Sequence, residues 1–269
     1  MLTLSAVLPP AFPSSAEVDS MGNGIRIFAA LDGDLAPLLA CGWLLSMNPG
    51  VTVTAGPADR GPGAGLCARG YMDLHVLTQD HGNDTLLRSA ASQARRLAAL
   101  LPGEGALHLS QDPPVGRFDL LLAGRPQPGK PSCWSADAQR FGAVLVAPRE
   151  TPSHLGRSIA ILADGPPREL KSFPIARRLF PAIASVHLIL DERADPGRTD
   201  EWLRQLDCGC PVRISAVRPT ADAQSAAILD VGGDLLVVER PARLWGMIGF
   251  EWRLAALLDR TPGAVLFAL

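Results

Sequence analysis

The sequence predicts an α/β fold made of two tandem Rossmann-like domains. Two observations support this class. Short apolar, β-branched runs alternate with helical patterns through the second half of the chain, which is typical of a parallel sheet covered on both faces. Five elements of the first half also recur in the same order in the second half. We therefore expect each domain to contain a five-stranded, mainly parallel sheet with helices on both faces.

The repeat is clearest where each half begins and ends. Both halves open with an apolar strand followed by Asp-Gly, in IRIFAALDGD with Asp32 and in SIAILADGPP with Asp164. Both then approach their ends alike, with RFDLLLAGRP at 117–126 and GGDLLVVERP at 232–241. The closing strands, GAVLVAP at 142–148 and GAVLFAL at 263–269, both begin with GAVL. Chance matching of short apolar runs explains these shared endings poorly.

In the first half, the patterns predict a helix over 35–46, a strand over 51–56 and a helix over 83–101. Strands follow at 105–110, 118–124 and 142–148. The run MDLHVL at 72–77 is a further candidate strand, and it has no counterpart in the second half.

The second half is more regular, and its elements strictly alternate. After the strand that precedes Asp164, it predicts helices at 168–180, 199–206, 221–230 and 249–258, which alternate with strands at 185–191, 212–217, 234–239 and 263–269. A polar, Pro-rich stretch separates the halves. The expected organisation is an N-terminal Pro/Ser-rich arm at 1–23, a first domain at 24–148, a linker at 149–157 and a second domain at 158–269.

Composition excludes several classes of function. The chain of 269 residues carries 27 acidic and 25 basic residues, so its formal net charge of −2 gives no field that would attract nucleic acid. No apolar run is long enough to span a membrane.

The N-terminal arm lacks the basic start of a signal peptide, and Pro9 and Pro10 end its apolar stretch, so we expect an uncleaved arm. Five cysteines, an odd number, favour free thiols and a cytoplasmic location.

The order of elements, with Asp at the end of the first strand and a D-L-L-V-V strand before a terminal A-V-L strand, resembles the universal stress protein fold in tandem. That family belongs to the wider adenine-nucleotide alpha-hydrolase-like group, which includes electron-transfer flavoproteins. The resemblance covers most of 158–269 and, more loosely, 24–148. It implies the doubly wound fold and, in ATP-binding members, a nucleotide site at the strand ends, with ATP or AMP as the expected ligand.

The resemblance also implies which residues would hold nucleotide. In ATP-binding members, the aspartate after the first strand and a G-x2-G-x9-G-[ST] pattern after the fourth strand form the site. Asp32 and Asp164 match the aspartate, although an Asp-Gly pair equally suits a turn that caps the next helix. The second half departs from the glycine pattern, because it carries Glu239, Ala242 and Phe250 in place of two glycines and a hydroxyl residue.

The first half retains more of a phosphate-binding loop. Its stretch GRPQPGKPS at 124–132 keeps Gly124, Gly129 and Lys130, which could cradle an anion, although prolines remove backbone donors from it. A Pro-rich surface turn would have the same composition.

Large apolar side chains stand where the family would place its glycine-rich loop in the second half. These are Leu244, Trp245, Met247 and Phe250, within RLWGMIGFEW. Such residues at a loop-to-helix junction either fill the vacated cleft or form an interface with a protein partner or a second copy. The sequence leaves both readings open.

No catalytic constellation is evident, and no cofactor is required by any motif. The Ser, His and Asp residues follow no hydrolase spacing, and Cys208 with Cys210 supplies two of the four ligands that a structural zinc ion takes. The sequence thus favours a non-catalytic, stress-protein-like binding or scaffold protein with a degenerate nucleotide site. The alternatives are a nucleotide-binding regulator that uses the first domain, and an electron-transfer-flavoprotein-like accessory subunit suggested by the extra strand at 72–77.

Overall fold

The computed structural model describes residues 24–31, 34–57, 72–101, 105–110, 117–125, 141–163, 170–193, 196–206, 209–239 and 256–268, without the side chains of 72–83 and 196–198. It confirms the α/β class. The chain divides into two compact units, unit 1 (Met1–Phe141) and unit 2 (Gly142–Leu269). Among the described residues, none of the helices combines the length and the apolar character that a membrane crossing requires.

Unit 1 contains four parallel strands in the order β3-β2-β1-β4. Its elements are β1 (Ile25–Ala30), α1 (Leu35–Ser46), β2 (Val51–Gly56), α2 (Met72–Leu100), β3 (Leu107–Leu109) and β4 (Phe118–Ala123). In each of the central strands β1 and β4 the last four residues are buried, as expected for apolar strand segments covered on both faces.

Unit 2 has the strand order β5-β10-β9-β6-β7-β8. Its elements are β5 (Phe141–Val146), which enters the unit at Gly142, β6 (Ser158–Ala163), α3 (Ser172–Leu179), β7 (Ser185–Asp191), α4 (Pro196–Gln205), β8 (Val212–Val217), α5 (Ala221–Val231), β9 (Leu235–Glu239) and β10 (Ala264–Ala268). All strand pairs of this unit are parallel except β5 with β10. The strand at 141–146, which the sequence analysis assigns to the first domain, thus pairs with β10.

The expected strand at 72–77 is wrong. These residues form the first turns of α2, a continuous helix of 29 residues that the sequence analysis begins only at residue 83. A six-residue apolar run does not distinguish a strand from a helical segment by periodicity, and no proline interrupts the chain between it and the amphipathic pattern downstream. The feature that suggested an electron-transfer-flavoprotein-like subunit is therefore absent.

The two units share one internal register. In unit 1, Ile27 on β1 lies opposite Val53 on β2 and Leu120 on β4. In unit 2, Ile159 on β6 holds the position that Ile27 holds in unit 1. It lies opposite Val186 on β7 and Leu235 on β9. Each unit therefore contains the same set of aligned strands around its first strand.

In each unit, an aspartate side chain accepts hydrogen bonds from the backbone at the start of the first strand. The Asp119 carboxylate on β4 accepts a hydrogen bond from the Arg26 backbone N–H at 2.8 Å. Asp234, just before β9, accepts from the N–H groups of Arg157 and Ser158, each at 3.1 Å. These aspartates belong to the DLL motifs of the repeat, and both satisfy backbone donors where a strand begins.

We expect Asp234→Ala to destabilise the protein more than the matched Asp119→Ala change. The first variant removes two backbone hydrogen bonds to a carboxylate and the second removes one, and each such bond contributes roughly 1.5–3 kcal/mol. Urea denaturation followed by circular dichroism measures both losses. Equal losses, or no loss in Asp234→Ala, would contradict this account.

Candidate functional site

The carboxyl end of β9 carries a buried acid, Glu239, whose residue is only 2% exposed. Its side chain reaches the start of α3 and accepts four hydrogen bonds from three backbone N–H groups. Lys171 donates to Oε2 at 2.8 Å, and Phe173 donates to Oε1 at 2.6 Å. Ser172 donates to both oxygens, at 3.0 and 3.1 Å. Among the residues that the structure describes, the donors to this buried carboxyl group are thus the first N–H groups of one helix.

This contact replaces a local helix cap. The N-cap position of α3 is Lys171, whose side chain makes no capping hydrogen bond. The third residue of the helix is Pro174, which has no N–H group. The donors left over at this helix start are therefore those of Lys171, Ser172 and Phe173, and Glu239 binds all three.

Two opposing effects act on the Glu239 carboxyl. Burial raises its pKa above the ordinary glutamate value, because the charged form loses its hydration. The backbone N–H groups of Ser172, Lys171 and Phe173 oppose this rise by favouring the charged form. Burial is the larger effect, so the net direction is upward.

Ser172 extends the contact to two strands. Its hydroxyl group donates to the Val238 carbonyl oxygen at 2.8 Å and accepts from the Ala268 N–H at 3.0 Å. Ser172 is itself buried, at 1% exposure. One residue at the helix start therefore connects β9, β10 and the Glu239 carboxyl.

Unit 1 has a different arrangement at the same strand position. Gly124 stands four residues after Leu120, as Glu239 stands four residues after Leu235, and those two leucines occupy equivalent register positions. At the start of α1, the exposed Asp34 caps its own helix by accepting from the Ala36 N–H at 3.1 Å. This helix, too, has proline, Pro37, as its third residue. The helix of unit 1 is thus capped locally, without a residue from β4.

Most of the residues expected to bind nucleotide lie outside the described residues. This holds for Asp32, Gly129, Lys130 and Asp164, and for the apolar group Leu244, Trp245, Met247 and Phe250. Gly124 is described and directly follows β4. The roles assigned to all of these residues remain predictions.

A second polar contact lies on β7 and β8. His187 Nε2 is 2.8 Å from Ser215 Oγ. Partial burial, followed by the charge of Arg213, lowers the pKa of His187, while Asp230 opposes this shift. Its neutral ring suits a structural hydrogen bond in a sheet.

Two further observations concern reactive or metal-binding groups among the described residues. Burial raises the pKa of the Cys41 thiol and keeps it protonated and unreactive. In the part of the chain that the structure describes, no three His, Cys, Asp or Glu residues are grouped to hold a metal ion.

Sequence reasoning identifies Glu239 as a departure from a glycine pattern, but it does not foresee that Glu239 caps α3. The signal in the sequence is the absence of a capping residue at the start of the helix. Lys171 stands where Ser, Thr, Asp or Asn would cap the helix, and Pro174 lies three residues further on. A helix start without a local cap leaves N–H donors for an acceptor from elsewhere in the chain, from solvent or from a ligand.

Comparison with known proteins supports the fold. No family model matches the chain, and neither does any curated protein. The fold is similar to that of a universal stress protein from Archaeoglobus fulgidus DSM 4304, with a TM-score of 0.60 and 11% identity over 90% of this chain and 95% of that chain. The cytoplasmic domain of a prokaryotic cation chloride cotransporter matches at a TM-score of 0.44 and 9% identity over 91% of this chain and 95% of that chain, which is too low to carry an argument. The chain therefore has an α/β fold of the universal-stress-protein type.

We expect Glu239→Ala to lower the stability of the protein by about 2 kcal/mol or more, because it leaves the buried N–H groups of Ser172 and Phe173 and the part-buried N–H group of Lys171 without their acceptor. Asp34→Ala is the matched control. It removes an exposed cap with one hydrogen bond and should cost about 1 kcal/mol. Chemical denaturation measures both values, and a smaller loss in Glu239→Ala than in Asp34→Ala would contradict the role given to Glu239.

The raised pKa of Glu239 also predicts a pH dependence. Because the folded protein retains this proton to higher pH than the unfolded chain does, the stabilisation is fully present below the ordinary glutamate pKa and is lost as the pH rises through the raised pKa. Glu239→Gln cannot titrate here. The unfolding free energy of the wild type minus that of the variant should therefore fall from acidic to neutral pH. A difference that grows with pH would show that the N–H donors outweigh burial.

Proposed function

We propose that this protein is a non-catalytic, universal-stress-protein-like binding or scaffold protein, with two copies of one fold and a degenerate nucleotide site in the second. One observation carries the proposal. The strand end that bears the first glycine of the nucleotide loop in ATP-binding members bears Glu239 here, with its carboxyl group buried against the start of α3.

This arrangement opposes nucleotide binding in two ways. A phosphate-binding loop uses glycine so that consecutive backbone N–H groups can approach the anion, and Glu239 adds a side chain at that position. Its negative charge would also repel a phosphate, by roughly 1 kcal/mol at 4 Å in water and more in a less polar site. Ala242 and Phe250 add further departures from the loop that the family uses.

The register of the strands supports a duplicated fold. Both units place a β-branched residue of the first strand opposite equivalent residues of its two neighbours, and both fasten that strand with an aspartate. Repeated letters in DLL and GAVL accompany the repeated geometry. If the two units are copies of one fold, only the second copy carries an acid at the strand end. The two copies would then differ in the ligands that they can bind.

A nucleotide-binding regulator that uses unit 1 is the second candidate. Its support is Gly124, which stands at the strand position of Glu239 and has no side chain to block a ligand. Asp32, Gly129 and Lys130 would complete the site. ATP or AMP would then bind to one unit of two.

The partner of the scaffold would be a protein or a second copy of this chain. The apolar group Leu244, Trp245, Met247 and Phe250 supplies the contact if it is exposed, and fills the former nucleotide cleft if it is not. The formal charge of −2 disfavours nucleic acid, and the cysteine content favours a cytoplasmic protein.

Calorimetric titration of ATP into the full chain tests the proposal. We expect no binding at unit 2, and therefore no micromolar site that Asp164→Ala removes. A single site that disappears in Asp32→Ala but persists in Asp164→Ala would establish the second candidate. A site lost in Asp164→Ala would refute the proposal that the nucleotide site of unit 2 is degenerate.

Native mass spectrometry of the same samples reports bound nucleotide and assembly size. Self-association that is lost in Trp245→Ser would identify the apolar group as the interface.

A further inference from the structure

The strand β8 lies at one end of the strand order of unit 2 and, among the described residues, pairs only with β7. We propose that this edge strand is a homodimerisation surface, on which β8 of a second copy of the chain pairs in antiparallel orientation about Ile214. A second copy is one of the partners in the proposed function, and the proposal rests on that part of it. The contact lies on a different surface from the apolar group at 244–250.

The outer edge of β8 presents backbone groups that a second strand can bind. The carbonyl oxygens of Pro211 and Val217 accept hydrogen bonds from the chain segment of β7 at 3.0 and 2.8 Å, so they point towards β7. In a parallel pair, residues that face the neighbouring strand alternate with residues that face away from it. The residues whose N–H and C=O groups point away from β7 are therefore Val212, Ile214 and Ala216.

This edge lacks the features that usually protect an edge strand. Such strands are commonly short, bulged, charged or interrupted by proline, because an open edge can pair with another chain. At the edge of unit 1, β3 has only three residues. In contrast, β8 has six, with no proline among them and Arg213 as its one charged residue. Among the large apolar side chains exposed in the described part of the chain, Ile214 is the one on a strand, at 43% exposure.

The sequence of β8 complements itself when two copies pair about Ile214. In an antiparallel pair, residues that point towards each other's strand exchange hydrogen bonds when they lie opposite one another. This register places Ile214 opposite its counterpart and Val212 opposite Ala216, so every outward N–H and C=O group of the strand is bound. The side chains of these residues alternate with those of 213 and 215, and the two copies therefore join their apolar faces.

Charge favours the same arrangement on the other face of the strand. Arg213 lies opposite Ser215 of the second copy, and the two arginines are only diagonal neighbours. Ser215 Oγ is 2.8 Å from His187 Nε2, and the charge of Asp230 acts on His187. Each arginine thus approaches a face of the other copy that carries a hydroxyl group and an acid.

The neighbouring symmetric registers are less favourable. If Val212 faced Ile214, Arg213 would lie directly opposite its counterpart, and like charges in that position are destabilising. If Ile214 instead faced Ala216, Val212 would have no strand residue opposite it. Pairing about Ile214 is the register that both the backbone and the charges support.

Sedimentation velocity of the full chain over a dilution series, with hydrogen exchange of the backbone amides, tests the proposal. We expect a concentration-dependent dimer in which the outward amides of β8 exchange about tenfold more slowly, or more slowly still, than in the monomer. The β8 amides that face β7 should exchange slowly at every concentration, because they are bonded within one copy. This alternation is the signature of pairing through the edge.

Two variants change the edge and leave the hydrogen bonds to β7 in place. Ile214→Lys puts two ammonium groups directly opposite each other, and Ala216→Pro removes an outward N–H group. Each should raise the dissociation constant of the dimer by about tenfold or more. Leu100→Lys is the matched control. It replaces a leucine of α2 that is 78% exposed and should leave the dimer unchanged.

Cysteine variants test the register. Opposite residues that exchange no hydrogen bonds have Cα atoms about 4.5 Å apart, which a disulfide can span, whereas diagonal neighbours are about 7–8 Å apart. Under mild oxidation, the double variant Arg213→Cys with Ser215→Cys should form more covalent dimer than the wild type. Arg213→Cys alone should not, and cross-linking by this single variant would overturn the register.

Three results would overturn the proposed surface. They are a wild type that stays monomeric up to about 1 mM, a dimer whose outward β8 amides exchange as fast as in the monomer, and a dimer that Ile214→Lys does not weaken. A dimer lost in Trp245→Ser but kept in Ile214→Lys would assign the interface to the apolar group instead. The scaffold function would then stand while the β8 contact fails, and the ATP titration reports the nucleotide site separately.

Discussion

A buried carboxyl group needs a complete set of donors, and much of unit 2 follows from how Glu239 meets this requirement. Burying a carboxylate without partners is unfavourable by many kcal/mol, so the acid can remain on β9 only where several N–H groups converge. The start of α3 supplies them. In return, the helix obtains the cap that Lys171 cannot provide and is fixed against the strand ends. Both the burial of this carboxyl group and the position of α3 against the strand ends depend on this one contact.

The strand ends carry different side chains in the two units, although the backbone register of the strands is the same. Ile27 and Ile159 hold equivalent places among their neighbouring strands, and aspartates fasten both first strands. The acid at the strand end is confined to unit 2. A fold of this kind tolerates such a difference because the register is set by buried apolar pairs, whereas ligand contacts are made by residues beyond the strand ends.

Sequence reasoning predicts the strands well and the site incompletely, for physical reasons. The strands β2, β7 and β8 begin and end at the expected residues, because their β-branched runs are bounded by clear turn signals. The run at 72–77 is misassigned because six residues fit either period, and the long helix downstream determines the outcome. The contact of Glu239 with α3 depends on bringing together residues far apart in the chain, which no local pattern encodes. Gly124 and Glu239 can be matched from the repeat alone, but what their side-chain difference does requires the tertiary structure.

The antiparallel pairing of β5 with β10 has a consequence for how unit 2 assembles. β10 lies between β5 and β9, and its partners on β5 are separated from it by nearly the whole unit in sequence. During synthesis, β5 and the adjoining side of β9 must remain without their common neighbour until β10 has emerged. Long-range closure of this kind slows folding and leaves strand edges open to other chains in the meantime.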